Sequence, residues 1–260
     1  MLPIYALVVI YNKSCADSTS CQCLQDFKGI NVIITDNSTV INDNKEYAES
    51  RGWKYVSMGG NKGLSKAYNR GIMLVDKPNA IVCLFDDDTE ISSDYFDLLT
   101  AKAVQEPDTK IFLPCVYDEI GLLSPSIIDG LAVRRVSSVD IIMPEHINGI
   151  NSGMAIRADV FENYYFDERY FLDYIDHAFL RDMKRMGHRI SFFNARLKQS
   201  FFDNSCVDIK SAINRFKIFR RDFKRFCGSS CEGRRFYYRE IINRKKAMYL
   251  KYKKIKVLFI

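Results

Sequence analysis

The chain has 260 residues, 47% of them hydrophobic, and a formal net charge of +6. This length and composition suit one large globular domain, or one domain with an appendage, and exclude a disordered or fibrous protein. The charge is uneven, because residues 210–260 hold 17 Lys/Arg and 3 Asp/Glu, whereas residues 1–209 hold 21 and 29. An acidic body followed by a basic segment predicts that residues 210–260 meet an anionic membrane, a nucleic acid or a protein partner.

Targeting and cysteine signals are weak. No run of 18 apolar residues occurs, and the apolar stretch at residues 4–10 lacks the basic start and the cleavage site of a secretory signal. The eight cysteines form no paired C-x-x-C set, so reduced thiols are expected rather than a zinc site or a disulfide framework. The sequence therefore predicts a cytoplasmic protein that is soluble or peripheral to a membrane.

The first half of the chain alternates apolar runs of strand length with segments of helix length. Apolar residues three or four apart predict a helix over residues 61–75, and a second helix is predicted to begin near Ser92. Four runs predict strands, at residues 5–10, 32–36, 53–57 and 81–85. This alternation is typical of a mostly parallel sheet with helices on both faces.

The second half of the chain does not show this regular alternation of strands and helices. It predicts a strand at residues 110–116, an irregular stretch with short hairpins at 121–144, and a brief strand leading into a helix at 153–157. An apolar stripe predicts an amphipathic helix over residues 173–185, which Gly187 ends. From residue 208 onward the sequence is basic and aromatic with helical spacing.

Three consecutive carboxylates, Asp86, Asp87 and Asp88, follow the apolar run that begins at Ala80. Because that run is predicted to be a buried strand, its acidic end is expected at the sheet edge where open α/β sheets bind ligands. Asp86 and Asp88 can hold Mg²⁺ or Mn²⁺, with waters and substrate phosphates completing the coordination shell. The alternative is a solvated acidic turn that opens the next helix.

Polar residues also follow the first two predicted strands. Tyr11 and Asn12 follow the first strand, and Asp36, Asn37 and Ser38 follow the second. In a parallel sheet these groups share one edge with the three aspartates, so a single cleft is expected to collect them. Asp36 can accept a hydrogen bond from the imide N–H of uracil or thymine, although Asp-Asn-Ser is also an ordinary turn.

Two helix starts carry further candidates. The glycine-bracketed segment at residues 59–63 fits neither the dinucleotide nor the Walker spacing, but it can offer free N–H groups to a diphosphate, or be a plain turn. Asp173 and Asp176 lie three apart in the first turn of the helix predicted at 173–185. One of them can act as a general base, although acidic residues also favour helix N-termini for electrostatic reasons.

An ordered set of short motifs runs through residues 4–200. Its members are Tyr11-Asn12, Asp36-Asn37-Ser38, Asn61-x-Gly63 with Ala67, Asn69 and Gly71, Asp86-x-Asp88, Asn151-Ser152-Gly153, Phe166-Asp167-Glu168, and Phe171-x-Asp173-Tyr174-Ile175-Asp176 with Gly187. In this order they resemble the family 2 inverting glycosyltransferases. Within that family the set is most similar to the rhamnosyltransferase-like bacterial branch, which builds O-antigen or capsular polysaccharide.

The resemblance implies a GT-A fold, a nucleotide-sugar donor and a divalent metal, Mn²⁺ or Mg²⁺. It places Asp36 on the nucleotide base, Asp86 and Asp88 on the diphosphate and metal, and Asp176 as the base. Asp173 matches an additional aspartate of the branch. The substrate-binding set expected from the motifs is Tyr11, Asn12, Asp36, Ser38, Asn61, Gly63, Asn69, Asp86, Asp87, Ser152 and Gly153.

The expected reaction follows from simple chemistry. Inverting transfer needs charge stabilised on a departing diphosphate and one carboxylate to take the acceptor proton. The resemblance implies dTDP-rhamnose or a UDP-hexose as donor and a lipid-linked glycan as the expected acceptor in bacterial surface polysaccharide synthesis. The expected division is a GT-A domain at residues 1–207 and a basic, aromatic helical extension at 208–260.

The extension is expected to dock on the inner face of the cytoplasmic membrane. Four phenylalanines at helical spacing, Phe216, Phe219, Phe223 and Phe226, lie on one helix face. Such a basic amphipathic helix can lie among lipid headgroups. The alternative is that these rings pack on the catalytic body. The sequence does not indicate an oligomeric state.

The sequence departs from the family at two places, and parts of it also fit two other functions. Lys198-Gln199-Ser200 stands where the family often has a histidine, and Glu240 stands where the branch has asparagine. One rival is a phosphatase or phosphotransferase with Asp86 as nucleophile, but Thr89 lies one place early for that motif. The other is a nucleic-acid-binding protein that uses the basic segment. The acidic body argues against it, so no nucleic-acid partner is expected.

Overall fold

The computed structural model describes residues 2–199 and 208–260. Within these residues, twelve strands form two sheets. The strands are β1 Ile4–Ile10, β2 Ile30–Asp36, β3 Lys54–Ser57, β4 Ile81–Asp86, β5 Thr89–Glu90, β6 Thr109–Asp118, β7 Gly121–Ser124, β8 Ser126–Asp129, β9 Ala132–Arg134, β10 Ile147–Asn148, β11 Ala155–Arg157 and β12 Arg189–Gln199. The α-helices are α1 Thr19–Leu24, α2 Asn44–Ser50, α3 Leu64–Ile72, α4 Tyr95–Gln105, α5 Ile175–Arg185, α6 Ile209–Cys227 and α7 Cys231–Tyr252.

The large sheet is mixed, with a parallel half built from the first half of the chain. Its strand order is β3-β2-β1-β4-β11-β6-β12-β5, and β7 pairs with the free part of β6. Strands β1 to β4 run parallel, β11 runs antiparallel between β4 and β6, and β12 runs parallel to β6. Strands β8, β9 and β10 form the small sheet.

The register of β1 places two predicted site residues side by side. Ile10 at the end of β1 pairs with Asp36 of β2, and Val9 pairs with Asp86 of β4. Two strand ends that carry carboxylates therefore flank one strand at the same edge of the sheet. This is the juxtaposition expected from a parallel sheet.

Both faces of β1 are buried, which explains why it is apolar throughout rather than alternating. Tyr5, Leu7 and Val9 belong to a core shared with α3, α5 and α6. The alternate residues of β1 face a second core that includes side chains of α1 and α4. Helices thus cover both faces of the sheet, as predicted.

Some element boundaries differ from the predictions. The helix predicted over residues 173–185 begins at Ile175, with Tyr174 as its N-cap in the left-handed region, so Asp173 precedes the helix. The helix expected after the strand at 153–157 is a short 3-10 helix, Ala158–Glu162. The irregular stretch at 121–144 contains β7, β8 and β9, which are short hairpin strands.

The C-terminal segment forms two helices that pack on the body. Phe216, Phe219, Phe223 and Phe226 of α6 are all buried, and Phe223 is only 1% exposed. They join the core that contains β1 and α5. The aromatic face predicted to contact lipid is therefore covered by protein, because burying four rings in a core removes a large apolar area from water.

Two sequence-based expectations concern the segment that the structure does not describe. The boundary between residues 207 and 208 falls at its edge, so the division into two domains stays a prediction. Ser200 also lies outside the described residues. Among the residues that are described, none of the helices is both long and apolar enough to cross a bilayer.

Candidate active site

A cleft of 860 Å³ opens at the carboxyl edge of the parallel strands. It brings together seven of the predicted site residues: Tyr11, Asn61, Asp86, Asp87, Asp88, Ser152 and Asp176. Helix α6 forms another part of its lining with Ser211, Asn214, Arg215 and Ile218. The cleft therefore joins the strand-end carboxylates to a helix that follows them by more than a hundred residues.

The first carboxylate, Asp86, is held by donors on three sides. Its Oδ2 accepts hydrogen bonds from Ser152 Oγ at 2.7 Å and from Gln199 Nε2 at 3.3 Å. The hydroxyl of Tyr68 lies 3.5 Å from Oδ1. These contacts fix the orientation of Asp86 at the floor of the cleft.

The two following aspartates differ in their partners. Asp87 Oδ1 lies 3.4 Å from Lys13 Nζ, and burial raises the pKa of its carboxyl. Asp88 accepts a hydrogen bond from Gln199 Nε2 at 3.2 Å. Burial, followed by the charges of Asp86 and Asp87, raises the pKa of Asp88 to about 6. A nearby cation would stabilise the ionised form of such a carboxylate.

Asp176 lies in the first turn of α5, where the helix dipole favours a carboxylate. Its Oδ1 accepts the backbone N–H of His177 at 2.7 Å. Burial raises the pKa of Tyr68 well above its usual value, and the negative charges of Asp86 and Asp176 both contribute. Asp176 and Asp86 both line the cleft.

Asp173 has a different environment from Asp176. Its carboxylate makes a bidentate ion pair with Arg215 of α6, with distances of 2.5 and 2.7 Å. It lies outside the cleft lining, whereas its partner Arg215 is part of that lining. Both oxygens of Asp173 are therefore already engaged by the Arg215 guanidinium.

Asp36 lies behind the cleft lining and is only 3% exposed. Its oxygens accept hydrogen bonds from the backbone N–H of Ser38 at 2.9 Å, Asn44 Nδ2 at 3.0 Å and the Tyr55 hydroxyl at 3.1 Å. Burial opposes ionisation, but the hydrogen bonds outweigh it and hold the pKa of Asp36 below its usual value. The neighbouring side chain, Asn37, reaches the cleft.

Three predicted residues stabilise the loops around the cleft. Asn12 donates its backbone N–H to Ser38 Oγ at 2.9 Å, and its side chain accepts from the N–H of Thr39. Asn69 bonds the backbone of Phe166 through both its amide oxygen and its amide nitrogen, each at 2.9 Å. These side chains are engaged in fixing backbone next to the site.

Two predicted glycines are required by close packing. Gly63 has φ +97°, and a Cβ there would lie 2.8 Å from the ring of Phe171. Gly153 has φ +75°, and a Cβ would lie 2.5 Å from Leu197. Both positions combine a backbone conformation that favours glycine with no room for a side chain.

Comparison with known families identifies the family of the chain. The model of the family described as Glycosyl transferase family 2 matches residues 7–165. The chain belongs to this family. The match includes the strand ends that carry Asp36 and Asp86–Asp88, whereas Asp176 follows the matched residues.

Solved glycosyltransferases share the fold. PcManGT, a mannosyltransferase from Pyrobaculum calidifontis solved with GDP-Man and Mn²⁺, has a TM-score of 0.62 at 13% identity, with 90% of this chain and 67% of that chain covered. The crystal structure of S. aureus TarS has a TM-score of 0.57 at 15% identity over 87% of this chain. The expected GT-A fold is confirmed, with the two C-terminal helices added to it.

The chain is shorter than some of these glycosyltransferases. It covers 39% of TarS and 64% of the TarS fragment 1–349, to which it is 16% identical with a TM-score of 0.56. No curated protein matches the sequence at a significant level.

The possible oxygen ligands at Asp86, Asp88 and Gln199 fit a hard divalent cation. Gln199 is buried, and its Oε1 has no hydrogen-bond partner in the described part of the protein. Its Nε2 lies between the carboxylates of Asp86 and Asp88. A 180° rotation of the amide exchanges the two atoms and presents a carbonyl oxygen where Mg²⁺ or Mn²⁺ would meet both carboxylates. Among the described residues, three His, Cys, Asp or Glu side chains do not converge as a metal cluster, so waters and substrate phosphates would complete the shell.

Several residues of the cleft were missed by the sequence reasoning. Gln199 was noted as a departure from the family histidine, without a role. The α6 residues Ser211, Asn214, Arg215 and Ile218 carry no local signal, because the sequence indicates only a basic helix whose aromatic face contacts either lipid or the catalytic body. The burial of Phe216 and Phe219 beside them is what turns this face toward the site.

We expect Gln199→Ala to weaken Mn²⁺ binding by about tenfold, since loss of one supporting group at a metal site typically costs 10–100-fold. The measurement is calorimetric titration of Mn²⁺ into protein saturated with UDP or GDP. Lys198→Ala, an exposed neighbour on β12, is the matched control. Equal Mn²⁺ affinity in the Gln199 and Lys198 variants would exclude a role for the amide at the cation site.

Proposed function

We propose that this family 2 protein is a metal-dependent inverting glycosyltransferase that uses a nucleoside-diphosphate sugar. The observation that supports the proposal is that the carboxylates of Asp86 and Asp88 and that of Asp176 line one cleft. The two functions are thereby assigned to different elements that line one cleft. The aspartates at the end of β4 face a leaving group, and the aspartate at the start of α5 faces an acceptor.

Each side chain has a part in the proposed reaction. Asp176 takes the proton of the acceptor hydroxyl while that oxygen bonds to the anomeric carbon. The bond from the anomeric carbon to the diphosphate oxygen breaks on the opposite face of the sugar, and the nucleoside diphosphate leaves with the electron pair. Asp86, Asp88 and Gln199 would hold the divalent cation, which when bound stabilises negative charge on the diphosphate.

The sugar donor is proposed to be dTDP-rhamnose or a UDP-hexose, on the strength of the resemblance to the rhamnosyltransferase-like branch. Tyr11, Asn37 and Asn61 line the end of the cleft that follows β1 and β2. The nucleotide base is proposed to bind there, next to the buried Asp36. The family match favours a glycosyltransferase over an aspartyl phosphatase or a nucleic-acid-binding protein.

A thermal-shift panel tests the proposal. The ligands are dTDP-rhamnose, UDP-galactose, UDP-glucose, UDP-galactofuranose and GDP-mannose, each with and without Mn²⁺. A donor at 100 times its dissociation constant stabilises a protein by about 2.7 kcal/mol. We expect one donor to raise Tm only with the metal, and NMR of the product to show the inverted anomer. A product with the anomeric configuration of the donor would contradict inversion.

The acceptor is proposed to be a lipid-linked glycan of bacterial surface polysaccharide synthesis, reached from the inner face of the cytoplasmic membrane. The proposed membrane contact lies on α7 and the 3-10 helix Ile255–Phe259 instead of the buried face of α6. Apolar side chains are exposed there among lysines and arginines: Tyr238, Ile242, Leu250, Ile255 and Phe259. Apolar groups mixed with cations suit an anionic bilayer surface.

We expect the protein to sediment with vesicles that contain phosphatidylglycerol at low salt and to be released at high salt, because screening weakens the attraction of lysines to the lipid. The double variant Ile255→Ser and Phe259→Ser should bind more weakly. Ile120→Ser is the matched control, since Ile120 is 83% exposed in a turn of the large sheet and Phe259 is 82% exposed. Equal sedimentation of all three proteins would exclude this surface.

A further inference from the structure

A buried carboxylate of α6 holds a loop of the active site. Asp222 is 0% exposed, and its Oδ2 accepts three consecutive backbone N–H groups, from Phe171 at 3.0 Å, Leu172 at 2.8 Å and Asp173 at 3.1 Å. The residues 171–174, here called the 171–174 loop, lead directly into α5. Three donors on one ionised oxygen form a charge-assisted set, which is roughly twice as strong per bond as a neutral one.

The last residue of this loop has an unfavourable backbone conformation. Tyr174 has φ +62°, which is uncommon and strained for a bulky residue. Its ring stacks on Phe223 and Phe226 of α6, with centroid distances of 5.0 and 4.8 Å. The same helix thus supplies both the hydrogen-bond acceptor for the loop and the rings that hold its strained end.

Two further contacts fix the loop. On the side of α3, Phe171 O accepts the N–H of Leu64 at 2.6 Å, and the absence of a side chain at Gly63 lets the ring of Phe171 approach. On the side of α6, Arg215 pairs with Asp173. The loop is therefore held between the nucleotide-side helix α3 and the C-terminal helix α6.

The position of this loop sets the position of the proposed base. Phe171 and Leu172 line the cleft themselves, and Asp176 follows Tyr174 by two residues in the first turn of α5. A displacement of about 1 Å at a reacting group can cost about a hundredfold in rate. Without its contacts to α6 the loop would relax, because Tyr174 is held in a left-handed backbone conformation.

We propose that Asp222 is a positioning residue, which holds the 171–174 loop, and with it Asp176, in the geometry needed for transfer. This role rests on the proposed function of Asp176 as the base. It assigns to the C-terminal helix a part in catalysis that is separate from any contact with a membrane. The donor side of the cleft, at Asp86 and Asp88, has no contact with Asp222 among the hydrogen bonds of the described residues.

The test compares Asp222→Asn with Lys224→Gln, an exposed position on the same helix. Asparagine keeps the volume of the side chain but loses the charge. We expect amide hydrogen exchange at residues 171–173 to become at least about tenfold faster. The kcat for transfer should fall by about 10–100-fold, while KM for the donor found in the thermal-shift panel, and the affinity for Mn²⁺ with UDP or GDP, stay within about twofold. Lys224→Gln should match the wild type in every measurement.

A second variant avoids an uncompensated polar group in the core. Phe226→Leu removes one of the rings that stack on Tyr174. It should also speed amide exchange at residues 171–173 and lower kcat, by smaller factors than Asp222→Asn. The test therefore remains valid if Asp222→Asn folds poorly. Unchanged exchange at residues 171–173 in both variants overturns the proposal. So does faster exchange with an unchanged kcat.

The outcome for Asp176→Asn distinguishes the positioning role of Asp222 from the proposed role of Asp176 as the base. If that variant keeps its turnover while Asp222→Asn shows fast exchange and a low kcat, the positioning role of Asp222 is supported and the assignment of Asp176 as base is wrong. If both variants lose kcat and keep donor affinity, both assignments are supported.

Discussion

Asp176→Asn is expected to lower the rate of sugar transfer by roughly 10²–10⁴-fold, the usual contribution of a general base. Asparagine has nearly the same shape and still accepts the backbone N–H of His177, but it cannot take the acceptor proton. Donor affinity should stay unchanged, since the proposed contacts to the donor are made by other residues than Asp176. Single-turnover kinetics with calorimetry of donor binding measures both quantities.

Asp173→Asn is the matched control for that variant. Because the Asp173 carboxylate is paired with Arg215 and lies outside the cleft lining, its loss should act only through the loop and reduce the rate less. The opposite ranking of the two variants would show that Asp173 is the base. Near-normal turnover in both would show that the two carboxylates only stabilise the start of α5.

Asp88→Asn is expected to weaken Mn²⁺-dependent donor binding at least about tenfold, because it removes a charged ligand from the cation site. Calorimetry of the donor with and without Mn²⁺ measures the effect. Asp97→Asn on α4, which is exposed, serves as the control for the loss of one negative charge. Unchanged Mn²⁺-dependent affinity in Asp88→Asn would exclude Asp88 as a ligand.

The same substitution should stabilise the metal-free protein. Burial and the neighbouring aspartates raise the pKa of Asp88 to about 6, so the folded state favours the protonated form more than the unfolded state does. This contribution to stability is complete below the unfolded pKa, near 4, and is lost as the pH rises through about 6. At pH 7.5 without metal we therefore expect a higher Tm for Asp88→Asn than for the wild type, and no difference at pH 4. A lower Tm at pH 7.5 would contradict this account.

The sheet and its acidic edge could be predicted because their causes are local in the sequence. Apolar runs of strand length predicted β1, β2 and β4, and the polar residues that follow them lie at one sheet edge because parallel strands end together. Spacing alone thus predicted that Asp86, Asp88 and Tyr11 would meet, and the cleft confirms their proximity.

The remaining contacts depend on partners far away in sequence. Asp173 was assigned to the first turn of a helix, because periodicity cannot show that Tyr174 adopts a left-handed conformation. The spacing of the phenylalanines in α6 correctly indicated an apolar face, but it could not show that protein rather than lipid covers that face. Asp222 is a single carboxylate in a basic stretch of the sequence. No pattern around it indicates the three backbone N–H groups that it accepts.

The bonds from Asp222 to the 171–174 loop also have a consequence for the order of events during synthesis. Asp222 follows Asp173 by 49 residues, which corresponds to roughly 2–10 s at translation rates of about 5–20 residues per second. The strands of the large sheet, including β12 with Gln199, leave the ribosome before Asp222. A nascent chain paused between Gln199 and Asp222 is expected to bind nucleotide sugar without being able to transfer it.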